Sequence, residues 1–191
     1  MNKHILIING NPKTKSFCQH LSNLYEVEAR EYFTISRFNL SEMEFNPDLQ
    51  NGYDQTQELE PCLVAFQQAI KKADHIIIIS PIWWGGMPAK LKGLFDRALL
   101  PNFAFKYERD NPMPVQLLTN KTSRLIFTMD APDPYLEEQA SGVITQLDHF
   151  ILQYCGIEKP QTNLFGAIIG SSDQEKAVWE ETVKKLGQQG A

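Results

Sequence analysis

The chain has 191 residues, 42% of them hydrophobic, and carries a formal net charge of −5. That length suits one domain, expected over residues 1–191, with enough apolar material for a buried core. The acidic balance excludes a counterion-releasing nucleic-acid surface, and no cluster of Lys and Arg suggests a membrane-surface arm.

Cys18, Cys62 and Cys155 are odd in number and far apart. They give neither a disulfide framework nor a C-x-x-C pair, and are expected to be small reduced hydrophobes. His4, His20, His75 and His149 are equally scattered, so no metal is expected. The apolar run Ile5–Ile8 is too short for a signal peptide and ends in the turn Asn9-Gly10-Asn11-Pro12. No apolar run approaches the ~18 residues of a membrane span, and a cytoplasmic location is expected.

In chain order, the first strand is expected at His4–Asn9. The loop Gly10–Ser16 then leads into a helix opening at Ser16, with Gln19 three residues on. A helix N-terminus offers unpaired amides to a phosphate, and Ser16, Thr14 and the amides of Phe17 and Cys18 are candidates to hold one. An ordinary capped helix explains the same residues. The segment is neither a Walker loop nor a G-x-G-x-x-G fingerprint, and no Arg follows Cys18 at phosphatase spacing.

A mixed segment at Tyr32–Leu40 suggests an edge strand, and an irregular stretch follows over about 41–57. Leu59, Cys62, Leu63, Phe66, Ala69, Ile70 and Ala73 form an apolar stripe at helical spacing. The run His75–Ser80 is continuously apolar, as expected of a strand covered on both faces. Pro81-Ile82-Trp83-Trp84-Gly85-Gly86-Met87 follows, with Pro88 expected at the first position of the next helix. Two Trp at a strand mouth are costly to expose unless something flat covers them, and Gly85 and Gly86 let backbone come close to a planar ring. Core packing beside a glycine turn is the alternative for the two indoles.

Leu91, Leu94, Phe95 and Ala98 repeat the helical spacing, and a second irregular stretch runs over about 101–122. A strand is expected at Arg124–Met129, followed by a loop to Tyr135 in which Asp133 caps a helix and Pro134 starts it. Thr128 and Tyr135 offer hydroxyls there, and Asp130 a carboxylate suited to capping or solvent exposure. Leu136, Ala140, Val143, Leu147, Phe150 and Tyr154 form the next helical stripe. The last strand is expected at Asn163–Ile169, and Ser172-Asp173-Gln174-Glu175 is a capping box opening the last helix.

Strand and helix thus alternate, which gives an open parallel α/β sheet with helices on both faces. For five strands the expected order is 2-1-3-4-5, with ligand bound at the carboxyl ends where the order reverses. That rule nominates the loops at 9–16, 80–88 and 128–135.

The stretch Pro81–Arg97, with its Trp pair, Pro88-Ala89, Lys92-Gly93 and Asp96-Arg97, resembles the flavodoxin-like NAD(P)H:quinone reductases. Asn9–Pro12 with Ser16-Phe17, Asn102–Phe105 and Gln153–Gly156 agree in order and spacing, so the resemblance covers nearly the whole chain. It implies a three-layer flavodoxin-like fold, bound flavin (FAD rather than FMN), NAD(P)H as co-substrate, ping-pong hydride transfer and a homodimer with active sites at the interface. By the same resemblance, Asn11, Ser16, Phe17 and Cys18 would hold the phosphate and ribityl chain. Pro81, Ile82, Trp83 and Trp84 would hold the isoalloxazine, flanked by Thr128 and Met129, with Gly85 and Asp130 beside them. Phe103 and Phe105 match the aromatic wall over which nicotinamide or acceptor stacks, and Tyr135 matches a hydrogen-bonding tyrosine. The third loop departs from the family pattern, lacking its Gly run and its His, and Asn102 stands where Gly is usual.

The expected activity is two-electron reduction of quinone-like acceptors. A one-electron flavodoxin-type carrier and a flavin-binding regulatory subunit of a potassium-efflux system are the alternatives.

Overall fold

A computed structural model describes residues 3–191. Five parallel strands form the main sheet: β1 (His4–Asn9), β2 (Thr34–Asn39), β3 (His75–Pro81), β6 (Thr122–Thr128) and β7 (Gln161–Phe165). A short antiparallel pair, β4 (Phe105–Lys106) with β5 (Val115–Gln116), lies between β3 and β6 in sequence. The sheet order is β2-β1-β3-β6-β7, the doubly wound arrangement expected. The chain reverses its direction of winding at β1 and β3, where Ile5 pairs with His75 and Asn9 with Ile79.

Alternation of side chains across the strands divides the core in two. Ile5, Ile7, Ile77, Ile79 and Ile126 meet α1 (Phe17–Ala29) and α6 (Asp173–Gln189) on one face. Leu6, Ile8, Ile76, Ile78, Leu125 and Phe127 meet α2 (Pro61–Lys72), α3 (Ala89–Ala98) and α4 (Leu136–Thr145) on the other. The central strands are buried along their length, which is why they read as unbroken apolar runs. The edge strand β2 is only half-buried, and its polar residues reflect that.

Helix starts follow the side-chain chemistry in two places. Ser16 accepts from the Gln19 amide at 3.2 Å, and Ser172 and Glu175 form a complete capping box. Elsewhere the boundaries move. Pro88 is the residue before α3 (φ −52°, ψ 140°), so the helix starts at Ala89. Asp133 makes no capping bond; Asp133–Tyr135 form a 3₁₀ turn, and α4 starts at Leu136.

The helix after Leu136 does not keep its expected stripe. It passes through a π-helical segment, Gln146–Leu152, into a last turn, α5 (Gln153–Cys155). The wider turn shifts the register, so Ile151 and Leu152 face the core while Phe150 is 71% exposed. β7 also differs from expectation, ending at Phe165 rather than Ile169. A Cβ on Gly166 would lie 2.6 Å from the Ala131 carbonyl oxygen, and Ala167 takes φ +47°, so the chain turns there.

The irregular segment before α2 is held by one buried side chain. Arg97 of α3, 1% exposed, donates to the Asn46 and Glu58 carbonyls and pairs with the Glu60 carboxylate at 2.9 Å. Among the described residues no helix is long and apolar enough to cross a membrane, and no group of His, Cys, Asp or Glu is placed to hold a metal ion.

Candidate active site

The loops after β1, β3 and β6 meet at the carboxyl ends of those strands, as the switch in strand order requires. The loop after β1 is built by Asn side chains. The Asn11 amide donates to Asn9 Oδ1 at 3.2 Å, and the Lys13 amide donates to Asn11 Oδ1 at 3.0 Å. These Asx turns aim the chain into α1. Ser16 takes the Gln19 amide, and helix geometry leaves the amides of Phe17 and Cys18 without intrahelical acceptors. The Gln19 side chain contacts Asn9 and Asn23 instead of returning to Ser16, so this start is a simple cap.

The loop after β3 is a tight hairpin. Trp83 and Gly86 exchange both backbone hydrogen bonds, at 2.9 and 3.0 Å. Trp84 (φ 53°) and Gly85 (φ 68°) occupy the two central positions, the left-handed pair of a type I′ turn. Glycine adopts that conformation freely; a bulky aromatic does so at a cost of roughly 1–3 kcal/mol. Trp84 is fully exposed and Trp83 is 43% exposed. Core packing therefore does not account for these indoles. Gly86 spends its amide on the hairpin, while the amides of the two central residues have no backbone acceptor among the described residues.

The loop after β6 is tied to the turn after β7. Asp130 Oδ1 accepts from the Ile169 amide at 2.8 Å, and the Ala167 amide donates to the Ala131 carbonyl at 2.9 Å. Asp130 is exposed, and this bond gives it a tethering role instead of a helix cap.

Between these loops lies a cavity of about 250 Å³. The first loop contributes Asn11, Lys13, Ser16, Phe17 and Cys18; the second Pro81, Ile82 and Trp83; the third Thr128, Met129 and Asp130. It shares Ile82, Trp83, Met129 and Asp130 with a wider opening of about 790 Å³ that Trp84, Gly85 and Gln139 also line. The two form one cleft, with a helix N-terminus at one end and the indole hairpin at the other.

The remaining expected site residues stand outside it. Thr14 is exposed and lines neither part of the cleft. Tyr135, 54% exposed, stands on the 3₁₀ turn between Pro132 and Gln139, both of which line the wider opening. Phe103 packs against the core, and Phe105 is buried edge-on against Tyr107 and Tyr154. Phe105 lines a separate cavity of about 340 Å³, so within one chain the aromatic segment does not reach the cleft.

Sequence reasoning missed Lys13, Ile168 and Ile169 as lining residues. Lys13 lay in a loop already singled out, and its ammonium beside a helix N-terminus was the available signal. The sequence pattern places the two isoleucines in a strand, which hides their place in a loop wall.

Cys18 lies against the Thr128 hydroxyl, with 3.2 Å between sulfur and oxygen. Burial pushes its thiol up, partly offset by hydrogen bonds from Thr128 and Asn11, so no nucleophilic thiolate is available for phosphatase chemistry. Burial also raises Cys155, to about 12. Alkylation of the native protein at pH 8 is therefore expected at half-buried Cys62 alone; mass mapping that finds Cys18 modified contradicts this packing.

The model of the flavodoxin-like fold matches residues 3–189. An NAD(P)H oxidoreductase of Haemophilus influenzae, itself uncharacterized, is 34% identical over 95% of this chain and 93% of its own length. The mouse ribosyldihydronicotinamide dehydrogenase [quinone] is 27% identical over 96% of this chain and 92% of its own. Among solved structures, an FMN-dependent NADH-azoreductase of Bacillus anthracis in complex with FMN superposes with a TM-score of 0.74. The superposition spans 99% of each chain at 20% identity and speaks for the fold alone. The chain belongs to the flavodoxin-like family, the one that holds its NAD(P)H oxidoreductase and quinone dehydrogenase relatives.

Proposed function

We propose that this protein is a flavin-dependent oxidoreductase that passes a hydride from NAD(P)H to a quinone-like acceptor. One observation carries the reading: a helix N-terminus with an adjacent lysine and an out-turned indole hairpin converge on a single cleft. A flavin mononucleotide has the matching shape, an anionic tail and a flat, half-polar ring. The FAD preference drawn from the resemblance has no support among the relatives; FMN is the cofactor of the azoreductase neighbour, and we assign FMN.

When bound, the flavin supplies the two-electron chemistry, and the protein supplies binding, orientation and exclusion of water. The amides of Phe17 and Cys18, with Ser16 and Lys13, would hold the phosphate by charge-assisted hydrogen bonds. Asn11 and Thr128 would border the ribityl chain. Trp83 and the unpaired amides of Trp84 and Gly85 would hold the ring, while Pro81, Ile82 and Met129 would wall it from water. Asp130 acts indirectly, by fixing the Ile168–Ile169 turn as the far wall. The exposed face beside Trp84 is where nicotinamide and acceptor bind in turn.

A quinone needs a hydride and a proton to become a hydroquinone. Tyr135, on the rim, donates a hydrogen bond to the acceptor oxygen, and the proton comes from solvent. Tyr135→Phe is expected to lower quinone turnover about tenfold with the KM for NAD(P)H unchanged. Unchanged turnover removes Tyr135 from the mechanism.

The working form is a homodimer, in which the aromatic segment around Phe103, Phe105 and Tyr107 serves the partner's cleft. Exposed Tyr53, Tyr107 and Phe150 supply an apolar face for that contact. The whole chain acts as one flavodoxin-like domain, and its three unpaired cysteines fit a reducing cytoplasm.

Steady-state kinetics test the reaction. Parallel double-reciprocal lines for NAD(P)H and quinone, with one hydroquinone formed per NAD(P)H, are expected. Release of quinone radicals that reduce cytochrome c indicates one-electron transfer and contradicts the proposal.

A further inference from the structure

At the opposite end of the sheet from the cleft lies a second cavity, of about 230 Å³. His75 and Thr122 pair across β3 and β6, so they share a sheet face with Arg124, two residues beyond Thr122. All three line the cavity, joined at its rim by Lys3 and Lys159. Among the described residues Glu158 is the one acidic side chain in the lining. Three cations therefore meet the Glu158 carboxylate at the lining, with the Asp74 carboxylate also acting on Lys3. None of Lys3, Arg124 and Lys159 is in an ion pair among the described residues. Lys3 donates to the Gly190 carbonyl, and the Arg124 guanidinium donates to the side-chain oxygens of Gln161 and Asn163, all neutral acceptors.

Two buried side-chain nitrogens here lack any partner among the described residues. His75 is 3% exposed and Arg124 8% exposed, yet His75 Nε2 and Arg124 Nε make no hydrogen bond among the described residues. Thr122 lies 2.7 Å from His75 Nδ1 and only at 3.5 Å from its alternative acceptor, the Asp74 carbonyl. In the tautomer in which the Thr122 hydroxyl donates to Nδ1, the neutral ring carries its proton on Nε2. Leaving a donor such as Arg124 Nε buried and unpaired costs about 1–3 kcal/mol, which favours an acceptor in this cavity. Burial lowers Lys3 and Arg124 from their ordinary values, and the Asp74 carboxylate only partly offsets this at Lys3.

We propose that this cavity is an oxyanion site that takes a phosphate group, bound by His75, Arg124, Lys3 and Lys159. No activity in the cleft depends on it, and the site stands or falls separately from the flavin reading.

The test uses the purified protein saturated with FMN, so that phosphate does not compete at the Ser16 turn. Inorganic phosphate is titrated against chloride at matched ionic strength while the ring nitrogens of ¹⁵N-labelled His75 are followed by NMR. Saturable shifts with a dissociation constant below ~10 mM are expected. Glycerol phosphate, titrated in parallel, distinguishes a site for free phosphate from one that admits a phosphate ester. Lys159→Gln, at an exposed position that does not endanger folding, is expected to weaken binding about fivefold. Arg124→Gln is expected to weaken it more than tenfold. If His75 does not respond to ~50 mM of either anion, the donors are served by water alone and the proposal is wrong. It is equally overturned if Lys159→Gln binds as tightly as the parent.

Discussion

Arg97→Met is expected to destabilise the fold by about 3–5 kcal/mol, because it leaves a carboxylate and two carbonyls without their charged donor. In the native chain the guanidinium is buried and serves Asn46, Glu58 and Glu60 together. Met fills the volume and supplies no N–H. For a chain of this size the loss is a fall in Tm of about 10 °C or more. The segment before α2 should open first, so limited proteolysis is expected to cut within residues 41–60 ahead of global unfolding. The contact also has a pH signature. Burial raises the Glu60 carboxyl, but the Asn46 amide and Arg97 outweigh this and hold it below its ordinary value of 4.5. A depressed carboxylate contributes stability fully above its unfolded pKa and loses it as pH falls through the folded value. The difference in stability between parent and Arg97→Met should therefore shrink below pH 4.5. A difference that stays constant to pH 3 contradicts the assigned ion pair.

The second large effect separates stability from activity at one residue. Trp84 is held at φ 53° with its ring in solvent, which costs the fold and returns nothing to the core. Trp84→Gly is expected to stabilise the protein by about 1 kcal/mol, since glycine takes the left-handed turn without strain. The same change should lower quinone turnover at least ~10-fold, by removing the surface that orients the acceptor. Denaturant melts and steady-state rates on the same preparation decide this. A variant that is both less stable and fully active shows that the indole serves packing instead.

The sheet order, the central strands and the first and last helix starts were legible because each has a local cause. The apolar runs at β1 and β3 follow from burial on both faces, and Ser16 and Ser172 carry their caps beside them. The misses have longer-range causes. The π turn at Gln146–Leu152 adds a residue to a helix whose spacing read as regular, and its effect appears only in the exposure of Phe150. β7 stops at Phe165 because Gly166 abuts Ala131 and Leu136. Those neighbours are distant in sequence.

The same distinction holds at the candidate site. Trp83, Trp84 and the Ser16 turn announced themselves through residue types that are costly or purposeful in their local setting. Lys13, Ile168 and Ile169 did not, since their part in the cleft depends on how the turn after β7 folds back on Asp130. Phe103 and Phe105 are expected by resemblance to form the aromatic wall of the site. Their separation from the cleft depends on where the β4–β5 hairpin packs, which no periodicity encodes.

The most direct measurement is the visible absorbance of the protein as purified, followed by mass analysis of whatever cofactor heat releases. A yellow protein that releases about one FMN per chain, and rebinds it with quenching of Trp fluorescence, is the predicted result. A colourless protein that takes up neither FMN nor FAD at micromolar concentration contradicts the account at its root.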